Sequence, residues 1–372
     1  MIYIYIASIL LVIAYCYKLR KFEENFNLPL PFNPKKNNTV PVSVIVAVKN
    51  GEDSLLNLIE CLKMQTYTGE IEYIIVDDQS SDNTSTVIQN ISKEDSRFKF
   101  ASSKNGSKSL SYKKKALDAG IKLASFEWLL FTDVDCRPPK TWIQEMAEYF
   151  IENVDYVIGI SKVLPSNSLV SLYQSIDFQM LMGATISQCN IKKPWACTGQ
   201  NQAYRKSLYK KVEGFKHISN LLQGDDTVFM QLCQYADANI VGALTKNSMI
   251  ARTENNLWSF LKQRMRWAGD SKYMLKLCPE FFIMSVITYL LNLSIFILVI
   301  FGYLQFLPII IMAKIYYEHK FYETIVNTSI AKDCNHTDKL MIWAILQFPY
   351  IILMGTLSFW SHQLFGWKKS KN

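Results

Sequence analysis

Neither GxGxxG nor GxxxxGKS/T occurs in the 372 residues. The glycine loops that carry dinucleotides and nucleoside triphosphates on Rossmann and P-loop sheets are therefore absent. The 8 cysteines, at positions 16, 61, 136, 189, 197, 233, 278 and 334, form no CxxC pair and no metal-ligand spacing. Scattered single thiols fit a reducing compartment and structural roles. Zinc-finger, helix-turn-helix and RNA-binding signatures are missing too. The formal net charge is +8, but apart from Lys113-Lys114-Lys115 and the tail the lysines are dispersed. Nucleic acid is thus not the expected partner, and a basic surface beside anionic lipid accounts for the charge more simply. There are no internal repeats and no low-complexity tracts.

Charge itself is missing from three runs. The first 17 residues, MIYIYIASILLVIAYCY, the stretch 281–313 and the stretch 340–360 contain no Asp, Glu, Lys or Arg. About 20 uncharged apolar residues is the length that spans a bilayer. The first run lacks the basic start and the small-residue cleavage pattern of a signal peptide, so it is read as an anchor. Lys18, Arg20 and Lys21 follow it, which places the N-terminus outside and the central segment in the cytoplasm of a plasma or inner membrane protein. The tail lysines Lys368, Lys369 and Lys371 favour the same side. LPIIIMAKIYYEHKFYETI, between the second and third runs, is charged and short enough to be re-entrant or interfacial. A cation channel is excluded, because the uncharged runs offer no ionisable residue to line it. The expected organisation is an anchor over 1–20, a linker over 21–40, a cytoplasmic domain over 41–275, and a membrane region of two or three segments over 276–372.

What the central segment does contain is an alternation of strands and helices. The pattern predicts strands at 41–48, 72–78, FKFASS, 128–135 and 156–161. Between them it predicts helices at 55–64, 84–91, KKKALDAGIKLA and KTWIQEMAEYFIEN. This pitch implies parallel βαβ units and a doubly wound α/β sheet, whose ligands bind beyond the carboxyl ends of the strands. Acidic residues fall at those ends: Glu52 and Asp53, Asp77 and Asp78, Asp133 and Asp135.

Asp133 and Asp135 close the apolar run WLLF in WLLFTDVDC. On an extended chain, residues two apart share a side, so the two carboxylates converge. Such a pair suits Mg²⁺ or Mn²⁺, which complete their shells with water and phosphate oxygens. Asp225 and Asp226, in LLQGDDTVFMQL, precede an apolar helical pattern. There an aspartate serves as a helix cap or, if it reaches an acceptor hydroxyl, as a general base. Gln263 to Trp267, QRMRW, precedes the second uncharged run.

In order, VSVIVAVKNGED, YIIVDDQSSDNT, FTDVDC, TGQNQAYRK, GDD and QRMRW resemble the family 2 glycosyltransferases over roughly residues 41 to 270. They are most similar to the membrane-attached branch with a D, DxD, D, QxxRW signature, shared by ceramide glucosyltransferases and cellulose and hyaluronan synthases. The resemblance implies a GT-A nucleotide-sugar-binding fold, a doubly wound mixed sheet flanked by N- and C-terminal transmembrane helices. It implies that Glu52 and Asp78 face the nucleotide base and ribose, and that Lys113, with Lys114 as its rival, lies near the nucleotide. Asp133 and Asp135 would hold the divalent cation on the donor diphosphate, with Asp133 also contacting the donor. Asp226 would be the base, with Asp225 competing because the pair here is Gly-Asp-Asp rather than Glu-Asp. Gln263, Arg266 and Trp267 would lie against the diphosphate and the acceptor.

The implied activity is inverting transfer of a hexose or N-acetylhexosamine from a nucleotide-diphosphate sugar, UDP-linked in the first instance, to a lipid-linked or glycan hydroxyl. A polyprenyl-phosphate sugar synthase and a non-catalytic membrane scaffold are the alternatives.

Overall fold

The structure is a computed structural model and describes residues 2–30, 32–269, 271–305, 307–328 and 335–358. The tail lysines Lys368, Lys369 and Lys371, and the last two residues of the third uncharged run, lie outside the described residues. The chain divides into two units. One comprises Leu28–Val163 with Gln188–Arg252; the other comprises Met1–Asn27, Leu164–Ser187 and Thr253–Asn372.

The first unit is built on nine strands: β1 Val42–Val48, β2 Ile71–Asp77, β3 Phe98–Ser102, β4 Trp128–Phe131, β5 Tyr156–Gly159, β6 Ser161–Val163, β7 Gln202–Arg205, β8 Ile240–Ala243 and β9 Met249–Ala251. Seven form one sheet in the order β3-β2-β1-β4-β7-β5-β8, and β6 pairs with β9 apart from it. β3, β2, β1 and β4 run parallel, whereas β7 is antiparallel to both β4 and β5. The sheet is therefore mixed, with its all-parallel half formed by the first four strands.

Burial explains the pattern. β1 is inaccessible almost throughout, as expected of a central strand covered on both faces. Val44, Val46 and Val48 share one core cluster with Leu55, Leu58, Ile59 and Leu62 of the helix Glu52–Lys63. Each such side chain contributes about 1.5–3 kcal/mol on full burial. On the other face Ile45 meets the helix Tyr112–Leu123. Gly120 allows that contact: a Cβ there would lie 2.7 Å from Ile45 Cγ2 and 3.0 Å from Val76 Cγ2. The close approach brings the helix against β1, β2 and β3, and its first turn starts at the carboxyl edge of the parallel strands.

Two expected elements are shorter than predicted. The strand from Trp128 ends at Phe131, and 132–135 leave the sheet, Val134 and Asp135 forming a turn in which the Cys136 N–H donates to the Asp133 carbonyl at 3.1 Å. The helix over KTWIQEMAEYFIEN is confined to Trp142–Ala147.

The second unit is helical. Ile2–Phe26, Pro279–Ile300 and Thr337–Leu357 are long and apolar enough to cross a membrane. Ile2–Phe26 packs against Pro279–Ile300 and against Leu307–Val326, the charged segment, which is a continuous helix. Lys314 and Glu318 on that helix are wholly buried and paired at 2.6 Å, and the Tyr15 hydroxyl donates to the same carboxylate at 2.7 Å. Helix Leu169–Asn190 belongs to this unit up to Ser187.

Candidate functional site

Three loops at the carboxyl edge of the parallel strands carry the predicted acids. After β1, Asn50 turns the chain at φ 50°. Its amide oxygen accepts from the Ser81 N–H at 2.8 Å, which ties the first loop to the second. Glu52 opens its helix and accepts from the Asn83 side-chain amide at 3.0 Å. Asp78, directly after β2, donates its backbone N–H to the Val48 carbonyl at 2.7 Å. The first loop also packs on the third: a Cβ on Gly51 would lie 3.3 Å from Val134 Cγ2, between Asp133 and Asp135.

Asp133 and Asp135 therefore sit on a turn beyond the strand, and the alternation of an extended chain does not set their directions. What they share is electrostatic. Burial and then the Asp133 carboxylate push the Asp135 carboxyl above its ordinary value, against the opposing pull of Arg252 and Lys113. Arg252, just after β9, is a site neighbour that sequence reasoning missed; a lone arginine after a three-residue strand carries no motif.

The centre of the cluster is Lys113. Its ammonium donates to Asp133 Oδ1 at 2.7 Å and lies 3.2 Å from Asp225 Oδ2. Burial works to lower its pKa, but Asp133, Asp225 and Asp226 outweigh burial and hold it well above the ordinary lysine value. Lys114 faces the other way: it is 1% exposed and donates to the carbonyls of Leu221 and of Gln223, the latter at 3.1 Å. Of the two lysines, Lys113 is the one seen paired with these acids. The residue before them, Tyr112, takes φ 58°, the left-handed region that favours glycine.

Lys114 fixes the loop that leads into the Gly-Asp-Asp pair, and the pair then splits. Asp225 is buried against Lys113. Asp226, more open, caps the helix Thr227–Tyr235 by accepting from the Thr227 N–H at 2.6 Å. The Thr227 hydroxyl in turn donates to the Cys197 carbonyl at 3.0 Å and accepts from the Cys197 N–H at 3.1 Å. That fastens the loop containing Gly199, where a Cβ would stand 3.3 Å from Lys113 Nζ, 3.7 Å from Asp225 Oδ2 and 3.8 Å from Asp226 Cβ. Gly199 lies within the quoted TGQNQ stretch, yet nothing in the sequence marked it as the wall of this cluster.

Among the described residues no group of three or more His, Cys, Asp or Glu side chains is placed to hold a metal. A cation on the expected pair, Asp133 and Asp135, would have to draw its remaining ligands from water and phosphate. Hard oxygen donors, and a second carboxylate already disfavoured by the first, fit Mg²⁺ or Mn²⁺.

Gln263, Arg266 and Trp267 lie in the other unit, on the helix Leu257–Gly269. The anchor of that helix is a residue the motif does not name. Arg264 is buried, pairs with Asp177 at 2.9 Å, and covers the Trp267 ring at 4.3 Å from its centroid. Burial pushes the Asp177 carboxyl up, and Arg264 opposes the shift.

Residues 43–213 match the family described as Glycosyl transferase family 2. A poly-beta-1,6-N-acetyl-D-glucosamine synthase of Staphylococcus epidermidis is 26% identical over 68% of this chain, which spans about 60% of that relative's length. A probable glycosyltransferase of Sulfolobus acidocaldarius is 23% identical over 87% of this chain and 68% of its own. Among solved structures, a mannosyltransferase of Pyrobaculum calidifontis in complex with GDP-Man and Mn²⁺ has a TM-score of 0.60 at 14% identity, covering 96% of this chain and 97% of the other. That likeness is one of fold: the mixed sheet is the GT-A arrangement.

Proposed function

We infer that this chain, which carries a family 2 glycosyl transferase domain over residues 43–213, is an integral membrane, inverting glycosyltransferase. Its donor is a nucleotide-diphosphate sugar bearing a hexose or N-acetylhexosamine. Its acceptor is a hydroxyl of a lipid-linked or glycan molecule. The observation that carries the reading is the convergence of Lys113 with Asp133 and Asp225 at the carboxyl edge of the parallel strands, where such sheets bind ligands.

In this reading Glu52 and Asp78 face the nucleoside, and Lys113 supplies positive charge to the diphosphate. Asp133 and Asp135 hold Mg²⁺ or Mn²⁺, which when bound neutralises charge on the departing diphosphate. Asp226 is the base. Its Oδ1 accepts from the Thr227 N–H, which holds the carboxylate in place to take the acceptor's proton. The acceptor oxygen attacks the anomeric carbon from the face opposite the diphosphate. The bond to the leaving oxygen breaks with its electron pair going to the diphosphate, and the proton passes to Asp226. An α-linked donor then yields a β-linked product. Gln263, Arg266 and Trp267 are proposed to meet the diphosphate and the acceptor. The three apolar helices and the Lys18, Arg20, Lys21 cluster support a membrane protein with its catalytic unit in the cytoplasm. A UDP donor is the first choice, as the resemblance implies; the GDP-Man bound by the Pyrobaculum calidifontis neighbour makes GDP-sugars the second set to test.

The test is transfer by detergent-purified full-length protein across a panel of UDP- and GDP-sugars, with Mn²⁺ or Mg²⁺ and a total lipid extract. One donor turned over, with a labelled lipid or glycan product of inverted configuration, supports the reading. Product on a lipid phosphate instead of a hydroxyl selects the polyprenyl-phosphate synthase. No turnover and no nucleotide binding selects the scaffold.

A further inference from the structure

Lys113 and a divalent cation need the same carboxylate. A cation held by Asp133 and Asp135 shares Asp133 with an ammonium already donating to Oδ1 at 2.7 Å. Two positive charges on one small carboxylate repel each other at separations of a few ångströms. The ammonium has a second tether, Asp225 Oδ2 at 3.2 Å. The approach from the Gly199 side is kept open by a missing side chain, since a Cβ there would come within 3.3 Å of Nζ. Lys113 can therefore shift away from Asp133 while still paired with Asp225.

We propose that Lys113 acts as an electrostatic lock on the cation site: it occupies Asp133 until a nucleoside diphosphate offers its own oxygens, and Asp225 is the positioning residue that retains the displaced ammonium. Cation and nucleotide then bind in positive linkage, each raising the affinity for the other by the same factor. The proposal rests on the reading of Asp133 and Asp135 as cation ligands given above. It adds a reason for the buried first aspartate of Gly-Asp-Asp, which the base role leaves unexplained. It also accounts for the split between adjacent lysines: Lys114 donates to backbone carbonyls, whereas Lys113 is paired with carboxylate side chains.

The experiment is Mn²⁺ titration of the full-length protein in detergent, followed by the electron paramagnetic resonance signal of free Mn²⁺. It is run alone and with saturating UDP or GDP. In the wild type the effective nucleotide tightens Mn²⁺ binding. Lys113→Met is expected to bind Mn²⁺ alone about tenfold more tightly, the scale of one partly exposed ion pair, and to lose about the same factor from the nucleotide's enhancement. Lys113→Arg keeps the charge and the weak metal-only binding. Lys115→Met, which removes a charge on the same turn without touching Asp133, measures the general electrostatic effect and is expected to change affinity less than about twofold. Lys113→Gln repeats the test if the methionine variant melts early.

The lock is overturned if Lys113→Met, or Lys113→Gln in its place, binds Mn²⁺ alone no better than wild type. It is equally overturned if Lys115→Met tightens binding as much, or if the nucleotide's enhancement survives unchanged. If the wild type binds neither Mn²⁺ nor any nucleotide, the lock falls together with the functional reading. Mn²⁺–nucleotide synergy that is indifferent to Lys113 sinks the lock alone.

Discussion

Lys113 and Lys114 are adjacent in sequence and opposite in commitment: the first donates to the Asp133 carboxylate at 2.7 Å, the second to the Gln223 carbonyl at 3.1 Å. A helix start at φ 58° on Tyr112 feeds both into their places. One lysine faces the acidic cluster, the other the loop that carries Asp225 and Asp226.

This division predicts separable losses. Lys114→Met removes a charged donor from one buried and one partly buried carbonyl and is expected to cost about 2–3 kcal/mol of stability. Lys113→Met, at a partly exposed position, is expected to leave stability within about 1 kcal/mol and to weaken nucleotide binding. Thermal melts beside nucleotide titrations check both; a Lys114 variant as stable as wild type contradicts the assignment.

Asp226→Asn keeps a side-chain oxygen for the helix cap but removes the base. Transfer is expected to fall by a factor of about 10²–10⁴ while donor affinity stays near wild type. Single-turnover transfer with pre-bound donor measures it, and a near-normal rate would reassign the base to Asp225.

Two buried carboxylates set an acid limit on the catalytic unit. Burial works to raise Asp118, but Lys122, Ser107 and Tyr209 reverse the sign and hold it low. Burial likewise opposes Glu72, and Lys99, Ser43 and Ser125 win. A carboxyl depressed in the folded state contributes stability above its unfolded pKa and loses it as pH falls through the folded one. The urea midpoint should thus hold from pH 7 to about 5 and fall below about pH 4. Asp118→Asn should be less stable at pH 7 and show a shallower acid fall; an unchanged acid slope would remove Asp118 from the explanation.

In the helical unit, Arg264 and Asp177 make a buried pair. Arg264→Met or Asp177→Asn alone is expected to cost about 3–5 kcal/mol, because the partner is left uncompensated, with the double variant recovering part of it. Melting of the four proteins in detergent closes the cycle. Additive losses would mean the two residues act apart.

Much of this architecture was legible in the sequence because its signals are local. β-rich runs, helical spacing and acids after strands placed β1 to β4 and their loops. What escaped depends on tertiary context. WLLFTDVD reads as one strand, yet pairing stops at Phe131 and the aspartates ride a turn before Pro138. β7 is four residues long and reverses the sheet with no pattern to announce it. Helix Leu169–Asn190 mixes polar and apolar residues with no one-sided pattern, so its sequence names no face and gave no hint that it joins the terminal helices. Gly199 and Arg252 entered the site only through distance and charge. The roles of Gln263, Arg266 and Trp267 rest on the family signature.

The central claim is a cation-dependent glycosyl transfer centred on Asp133, Asp135 and Lys113. Nucleotide release from the donor that the panel selects, measured for wild type and Asp135→Ala in Mn²⁺ and again in EDTA, tests it most directly. The account predicts release in Mn²⁺ by the wild type alone, abolished by EDTA and by the substitution. Equal release in EDTA, or by Asp135→Ala in Mn²⁺, would contradict it.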